Sequence, residues 1–410
     1  MTLSRLIAAF GAALILTACG GEPEARDTSD FDTEYQSVLH EALLDAQPGD
    51  VIEIPAGRFA FDRGLSLSGV SGVTIRGAGM DETILSFAGQ RQGAEGLLVS
   101  NSDNFTIENL AVEDTAGDAV KITGGDGVTI RGVRVEWTRG PSTDNGAYGL
   151  YPVLSRNVLI EDSVAIAASD AGIYVGQSDM IIVRNNRAEY NVAGIEIENS
   201  NNADVYGNVA VNNTGGILVF NMPNLPRPGA GTRVFDNDVH ENNTANFGHA
   251  GTPVANVPAG TGILINANDD VEIFNNRMRD NRTAHVIISS GYSSGFSDLG
   301  VNEEFDPYPE GIHVHSNTYE GGGNNPDNME LQALRLLKFG PTGRLPPVFW
   351  DGYVNTDRMV DGALPGALRL CVTDAEVLNA DGPNDFADPQ VDRAAFDCSH
   401  EPLPAVTLEG

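Results

Sequence analysis

Between residues 96 and 284 the chain repeats one hydrophobic pattern about every 22 or 23 residues: a small residue, an aliphatic one, a variable place, then a mostly aliphatic place. The copies are Gly96-Leu97-Leu98-Val99, Ala119-Val120-Lys121-Ile122, Gly149-Leu150-Tyr151-Pro152, Gly172-Ile173-Tyr174-Val175, Gly194-Ile195-Glu196-Ile197, Gly216-Ile217-Leu218-Val219 and Gly262-Ile263-Leu264-Ile265. Side chains alternate across a strand, so the first and third places after the small residue share one face and the second takes the other. A unit this short cannot bury a core by itself. Copies must stack, and β-patterned copies stack as a solenoid around a common apolar tube. The second places then form one outward row of Leu98, Lys121, Tyr151, Tyr174, Glu196, Leu218 and Leu264, with Glu198, Phe220 and Asn266 beside it. At about 4.8 Å per coil the row is roughly 30 Å long, which suits an extended polymer.

A second strand-like piece in each coil ends in asparagine, as in Val183-Arg184-Asn185-Asn186, Val205-Tyr206-Gly207-Asn208, Val234-Phe235-Asp236-Asn237 and Ile273-Phe274-Asn275-Asn276. A further asparagine follows each of them, at Asn191, Asn213, Asn242 and Asn281. Stacked at equivalent turns, these side chains are expected to hydrogen-bond along the solenoid axis. Ahead of the stack, Tyr35, Val38, Leu39, Ala42, Leu43 and Ala46 fall on one helical face that Pro48-Gly49 terminates. This predicts a helical lid over the first coil, whose strand edges would otherwise be unpaired. Residues 139–147, 221–232, 244–260 and 289–310 are extra to the minimal coil and flank strands of the outward row. Long loops on a rigid scaffold usually carry function, and here they predict a walled groove.

The net charge is −33, from 24 Lys and Arg against 57 Asp and Glu, which repels nucleic acid and anionic surfaces. Residues 1–19 read as a signal peptide: Arg5, an apolar run over 6–16 too short to span a bilayer, and Leu16-Thr17-Ala18-Cys19. That last run matches the bacterial lipoprotein cleavage box. The match implies lipidation of Cys19, and Gly20 after it implies the outer membrane, facing the periplasm or the cell surface. Residues 20–33 are acidic and read as a flexible tether, 34–325 as the capping helix and β-helix, and 326–410 as an irregular extension packed on the helix. The remaining cysteines, Cys371 and Cys398, in an exported chain are expected to form one disulfide closing this extension. Such a link stabilises by about 3 kcal/mol.

On these residues the chain resembles the right-handed parallel β-helix of pectate lyases and related polysaccharide-active proteins. More narrowly, Tyr148-Gly149-Leu150-Tyr151-Pro152, Asp170-Ala171-Gly172-Ile173-Tyr174-Val175-Gly176-Gln177-Ser178, Ala193-Gly194-Ile195-Glu196-Ile197-Glu198-Asn199 and Gly215-Gly216-Ile217-Leu218-Val219-Phe220 resemble a family of bacterial β-helix lipoproteins. The resemblance runs from about residue 35 to the end. It implies an all-β, single-stranded right-handed parallel β-helix of about ten coils, export, and commonly an exported protein partner. It implies no reaction.

The chemistry is read from the outward row. Lyase-type elimination or epimerisation at a uronic acid needs a base, an acid and a neutraliser of the sugar carboxylate. Lys121, Tyr151, Tyr174 and Glu196 are the catalytic candidates, and Tyr148, Asp170, Gln177, Glu198, Asn199, Phe220 and Asn266 the expected ligand contacts. No cofactor is required by this pattern; Glu196, Glu198 and Asn199 could offer oxygens to Ca²⁺. Mannuronan C5-epimerases carry Tyr-Gly-(Phe/Ile)-Asp-Pro-His at a comparable site. Here Tyr151 stands for the Asp and Val153 for the His, which counts against that mechanism. Polygalacturonase signatures (Gly-His-Gly, Arg-Ile-Lys) are absent too. Glu196 and Glu198, two residues apart on one face, offer the other catalytic option, hydrolysis. His313 and His315 share a face, but no third ligand follows by spacing, so no metal site is assigned. Asn379, Asp381, Asn384, Asp385 and Asp388 read as a turn cluster without calcium-loop spacing. The expected activity is binding of an extended carbohydrate along the row, with lyase-type turnover as its enzymatic form. The alternative is an envelope scaffold that docks an exported protein through the loop at 244–260.

Overall fold

The computed structural model describes residues 26–294 and 305–409; Cys19, the expected lipidation site, lies outside them. Its centre is the stack the repeat demands. Twelve strands form one sheet and nineteen another, and the coils pair in parallel from Arg63–Ser68 through Val377–Asn379. The antiparallel strand Gln390–Asp392 closes the last coil. The inward places, among them Ile173, Val175, Ile195, Ile197, Ile217 and Val219, are fully buried in one continuous core with Val158, Ile181 and Ala203 of the opposing wall. The helix Tyr35–Leu44 seats Leu39 and Leu43 on this core, and Tyr35 stacks against Phe59 at 4.2 Å. It caps the first coil as expected.

Two asparagine ladders hold the corners. In one, Asn186, Asn208, Asn237, Asn276 and Asn317 each pass a hydrogen bond to the next at 2.9–3.0 Å. In the other, Asn191, Asn213, Asn242 and Asn281 do the same at 3.0–3.1 Å. Every amide in the second ladder also donates to a backbone carbonyl, as Asn213 does to Ala188 at 2.9 Å. The second ladder explains the glycine that opens the repeats at Gly172, Gly194, Gly216 and Gly262. A Cβ on Gly172 would meet the Asn191 amide at 2.6 Å, and one on Gly194 would meet the Asn213 amide at 2.8 Å. Glycine is required there by the neighbouring corner.

Two boundaries differ from expectation. Residues 26–33 do not hang free as a tether: Arg26 pairs with Glu113 at 2.7 Å and Phe31 is buried. At the other end the β-helix does not stop at 325. Strands Val348–Trp350, Cys371–Val372 and Val377–Asn379 continue both sheets, with the helix Met329–Phe339 inserted between coils. The repeat was invisible there because long insertions interrupt it. The disulfide Cys371–Cys398 joins the last coil to the tail. Beyond it the tail runs back along the outer wall, its backbone N–H groups donating at 3.1 Å to Glu272 (from Leu403), Asp204 (from Val406) and Asn157 (from Glu409). Three extended residues cover about 10 Å, the height of two coils.

Candidate functional site

The outward row exists in the predicted register. Leu98 pairs with Lys121, Lys121 with Tyr151, Tyr174 with Glu196, Glu196 with Leu218 and Leu218 with Leu264. It is not, however, a 30 Å open groove. Tyr174 is 3% exposed, Glu196 2%, and Leu218, Phe220, Leu264 and Asn266 are buried as well. Tyr174, Leu218, Phe220 and Leu264 sit in a second apolar cluster outside the tube, with Val254 and Val257, and Phe247 packs against it. The loop at 244–260 is therefore a cover and not a wall. Asn246 folds it back by donating to the carbonyls of Val254 and Val257 at 2.8 and 2.9 Å. Thr143 of the shorter extension at 139–147 donates to Phe247 at 2.9 Å, which joins the two loops. The cause is hydrophobic: Leu218, Leu264 and Ile287 line the outer face, and an aliphatic strip of that size is stable only when covered.

Two further expected contacts are structural. Asn199 accepts from Met222 at 2.7 Å and donates to Met222 and Arg227, clamping the loop at 221–232. Asn266 accepts from Ser289 at 3.0 Å. Both amide oxygens are engaged within the protein.

What the row does bring together lies at the uncovered end of this strip. Tyr148, Tyr151 and Tyr174 pack as a triangle with ring centroids 4.5, 4.6 and 4.9 Å apart. Tyr174 donates to Glu198 at 2.6 Å, and Gln177 donates to Glu198 at 3.0 Å. Lys121 lies 4.7 Å over the Tyr151 ring and pairs with Asp118 at 3.3 Å and Glu95 at 4.0 Å. Leu98, Lys121, Tyr148, Tyr151 and Glu198 stay half-exposed. Beneath them Asp170 and Glu196 are buried, and Asp170 Oδ1 and Glu196 Oε2 have no hydrogen-bond partner.

Burial sets the protonation of this cluster. Desolvation, then the neighbouring Glu198, pushes Asp170 up to about 8. Glu196 is raised well above the usual carboxylate range by burial and by Asp170 and Glu198. Glu198 is raised by burial, against the hydrogen bonds from Tyr174 and Gln177. Tyr151 is pushed up to about 12 by burial and by Asp118; Tyr148 rises further by burial and by Asp170, and Tyr174 by burial and by Glu198. Shifts in this direction favour the protonated, donor-bearing forms of these tyrosines and carboxyl groups.

Asp118 and Glu95 were missed by the sequence reading. Both fall in register with Tyr148, in the column three places before the row, and that column was the available signal. The Asx-rich turn is internally satisfied, Asn384 donating to Asp381 at 2.7 Å. Among the described residues two groups bring three metal-capable side chains together: Glu272 with His313 and His315, and Asp269 with Asp306 and Glu310. Both lie away from the tyrosines.

The parallel register carried from coil to coil, with one variable place per coil, is decisive for the class. The protein is a right-handed parallel β-helix. Residues 63–225 match the family described as right handed beta helix region. No curated protein matches the chain. Among solved structures the β-helix is similar to the A-module of a mannuronan C-5 epimerase from Azotobacter vinelandii, at 18% identity over 78% of this chain and 87% of that one, TM-score 0.49. It is also similar to a polygalacturonase from Erwinia carotovora ssp. carotovora, at 13% identity over 78% and 96%, TM-score 0.49. A third is DFA-IIIase from Arthrobacter chlorophenolicus A6, at 12% identity over 82% and 86%, TM-score 0.47.

Proposed function

We propose that this β-helix protein binds a carbohydrate chain at the tyrosine patch of Tyr148 and Tyr151, beside Lys121 and Glu198. The observation that carries the reading is the half-exposed aromatic surface ringed by hydrogen-bonding groups and backed by buried, unpartnered carboxyl oxygens. Such oxygens cost about 1–3 kcal/mol each, and groups held at that cost cluster at functional sites. A sugar presents apolar C–H faces to an aromatic ring and hydroxyls to the polar rim, so both parts of the patch match it. The open stretch from Leu98 to Tyr151 spans two coil intervals, about 10 Å. The ligand is therefore a short oligosaccharide stretch or a chain end, not a polymer laid along the whole face.

Binding is favoured over turnover. A lyase form with Tyr151 or Tyr174 as base is disfavoured, because burial first and neighbouring acidic groups second raise both tyrosines, and Tyr174 is engaged with Glu198. Lipidation at Cys19 would place the patch at the outer membrane. On a glycan array, affinity for a defined oligosaccharide class is expected to drop at least tenfold for Tyr151→Ala and to stay unchanged for Ser68→Ala, on an exposed coil edge. A blank array with folded protein overturns the reading. Unsaturated products released from polyuronates would restore the lyase form.

A further inference from the structure

A second constellation lies on the opposite, nineteen-stranded wall. Strand His313–His315 pairs with Asp269–Phe274 so that Glu272 stands opposite His313 and Phe274 opposite His315. Val314 and Ile273 point into the core, which leaves Glu272, His313 and His315 on one outer face. One ligand atom from each of the three lies within 4.8 Å of the others. His315 Nε2 is 3.1 Å from Glu272 Oε1. His313 is 8% exposed, and its Nδ1 is buried with no hydrogen-bond partner. A buried ring nitrogen without a partner is expensive, and a bound cation would satisfy it.

We propose that Glu272, His313 and His315 form a binding site for a divalent transition-metal ion of the Zn²⁺ type. Two imidazoles and one carboxylate are a donor set that zinc accepts while keeping an open position, whereas Ca²⁺ prefers six to eight oxygens. The outer contacts are those a ligand set needs. His315 has Ser316 Oγ 3.1 Å from its other nitrogen, and its ring stacks on Phe274 at 5.3 Å with planes 3° apart. Phe274 continues a stacked column through Phe235 to Tyr206, which fixes the imidazole plane. The second oxygen of Glu272 accepts from Leu403 N at 3.1 Å. Partners of this kind orient metal ligands.

The open side of the site faces a cavity of about 440 Å³ lined by Glu272, His313, Arg369, His400 and Leu403. The disulfide Cys371–Cys398 holds the segment that carries His400 across it. His400 bonds Arg369 O at 2.8 Å through Nε2, which leaves its Nδ1 as a lone pair, and its ring is 5.7 Å from that of His313. Water or a small anion would complete the coordination from this cavity. The site is independent of the tyrosine patch, so neither proposal stands or falls with the other.

The test is titration of metal-free, full-length protein in detergent with Zn²⁺ by calorimetry, and with Co²⁺ by visible absorption. One equivalent should bind, with ligand-field bands of a low-coordinate cobalt site and a rise in melting temperature. His315→Gln and Glu272→Gln should each weaken binding at least tenfold, while His240→Gln, on the same wall, should leave it intact; excess Ca²⁺ should not compete. His315 is the partly exposed member, and circular dichroism will establish that its variant folds. No saturable Zn²⁺ binding, or binding unaltered in a folded His315→Gln protein, overturns the proposal.

Discussion

At the scale of single residues, the tyrosine patch couples stability to pH through carboxyl groups that have left water. The folded values of Asp170 and Glu196 lie above their unfolded ones, so the folded state holds protons that the unfolded state releases. Their contribution to stability is complete below about pH 4 and is lost as pH rises, through about 8 for Asp170. Melting temperature followed from pH 4 to 8 should thus fall less steeply for Asp170→Asn combined with Glu196→Gln than for the parent. Equal slopes would show that these groups are ionised in both states. The same residues mark the limit of what the sequence could say. Alternation placed Tyr151, Tyr174 and Glu196 on one outward row correctly. It could not say that Tyr174 and Glu196 would be covered, because the cover comes from residues 244–260, far along the chain. A sign was nevertheless present in the row itself: Leu218 and Leu264 at outward places ask for an apolar partner, and Phe247, Val254 and Val257 supply it. For the proposed metal site the residue missing from the sequence pattern was Glu272, separated from His315 by 43 residues and brought beside it only by the stacking of coils.

At the scale of elements, the glycine column and the asparagine ladders are two halves of one corner. Asn213 donates to Ala188 O and Asn242 Oδ1 and accepts from both nitrogens of Asn191, all inside the wall. Replacement by alanine strands several buried groups and should cost at least about 3 kcal/mol. Gly194→Ala should cost about 1–3 kcal/mol by a different route, since the new Cβ meets Gly216 O at 2.6 Å. Denaturant melts of the two variants check both figures; a neutral Gly194→Ala would mean the corner yields. These elements were legible because each repeat carries its own small residue and asparagine. The coils after residue 320 were not, since the helix Met329–Phe339 and the stretch at 351–370 break the period.

At the scale of the molecule, most solenoids behave as one-dimensional stacks in which a coil feels only its neighbours. The returning tail changes that connectivity. It reaches Glu272, Asp204 and Asn157 in turn, and Arg156 adds an ion pair to Glu409 at 2.9 Å. Truncation after residue 401 should therefore raise amide hydrogen exchange not only in strand His313–His315 but also in Arg156–Glu161, several coils away. Exchange confined to the last coils would refute this.

A longitudinal strap of this kind gives a repeating tower a shared fate. Fraying that begins at the terminal coil must first peel the strap, and peeling it loosens rungs well inside the stack. Partial opening from that end is thereby converted toward a single cooperative event, and the strap sets how many coils take part in it.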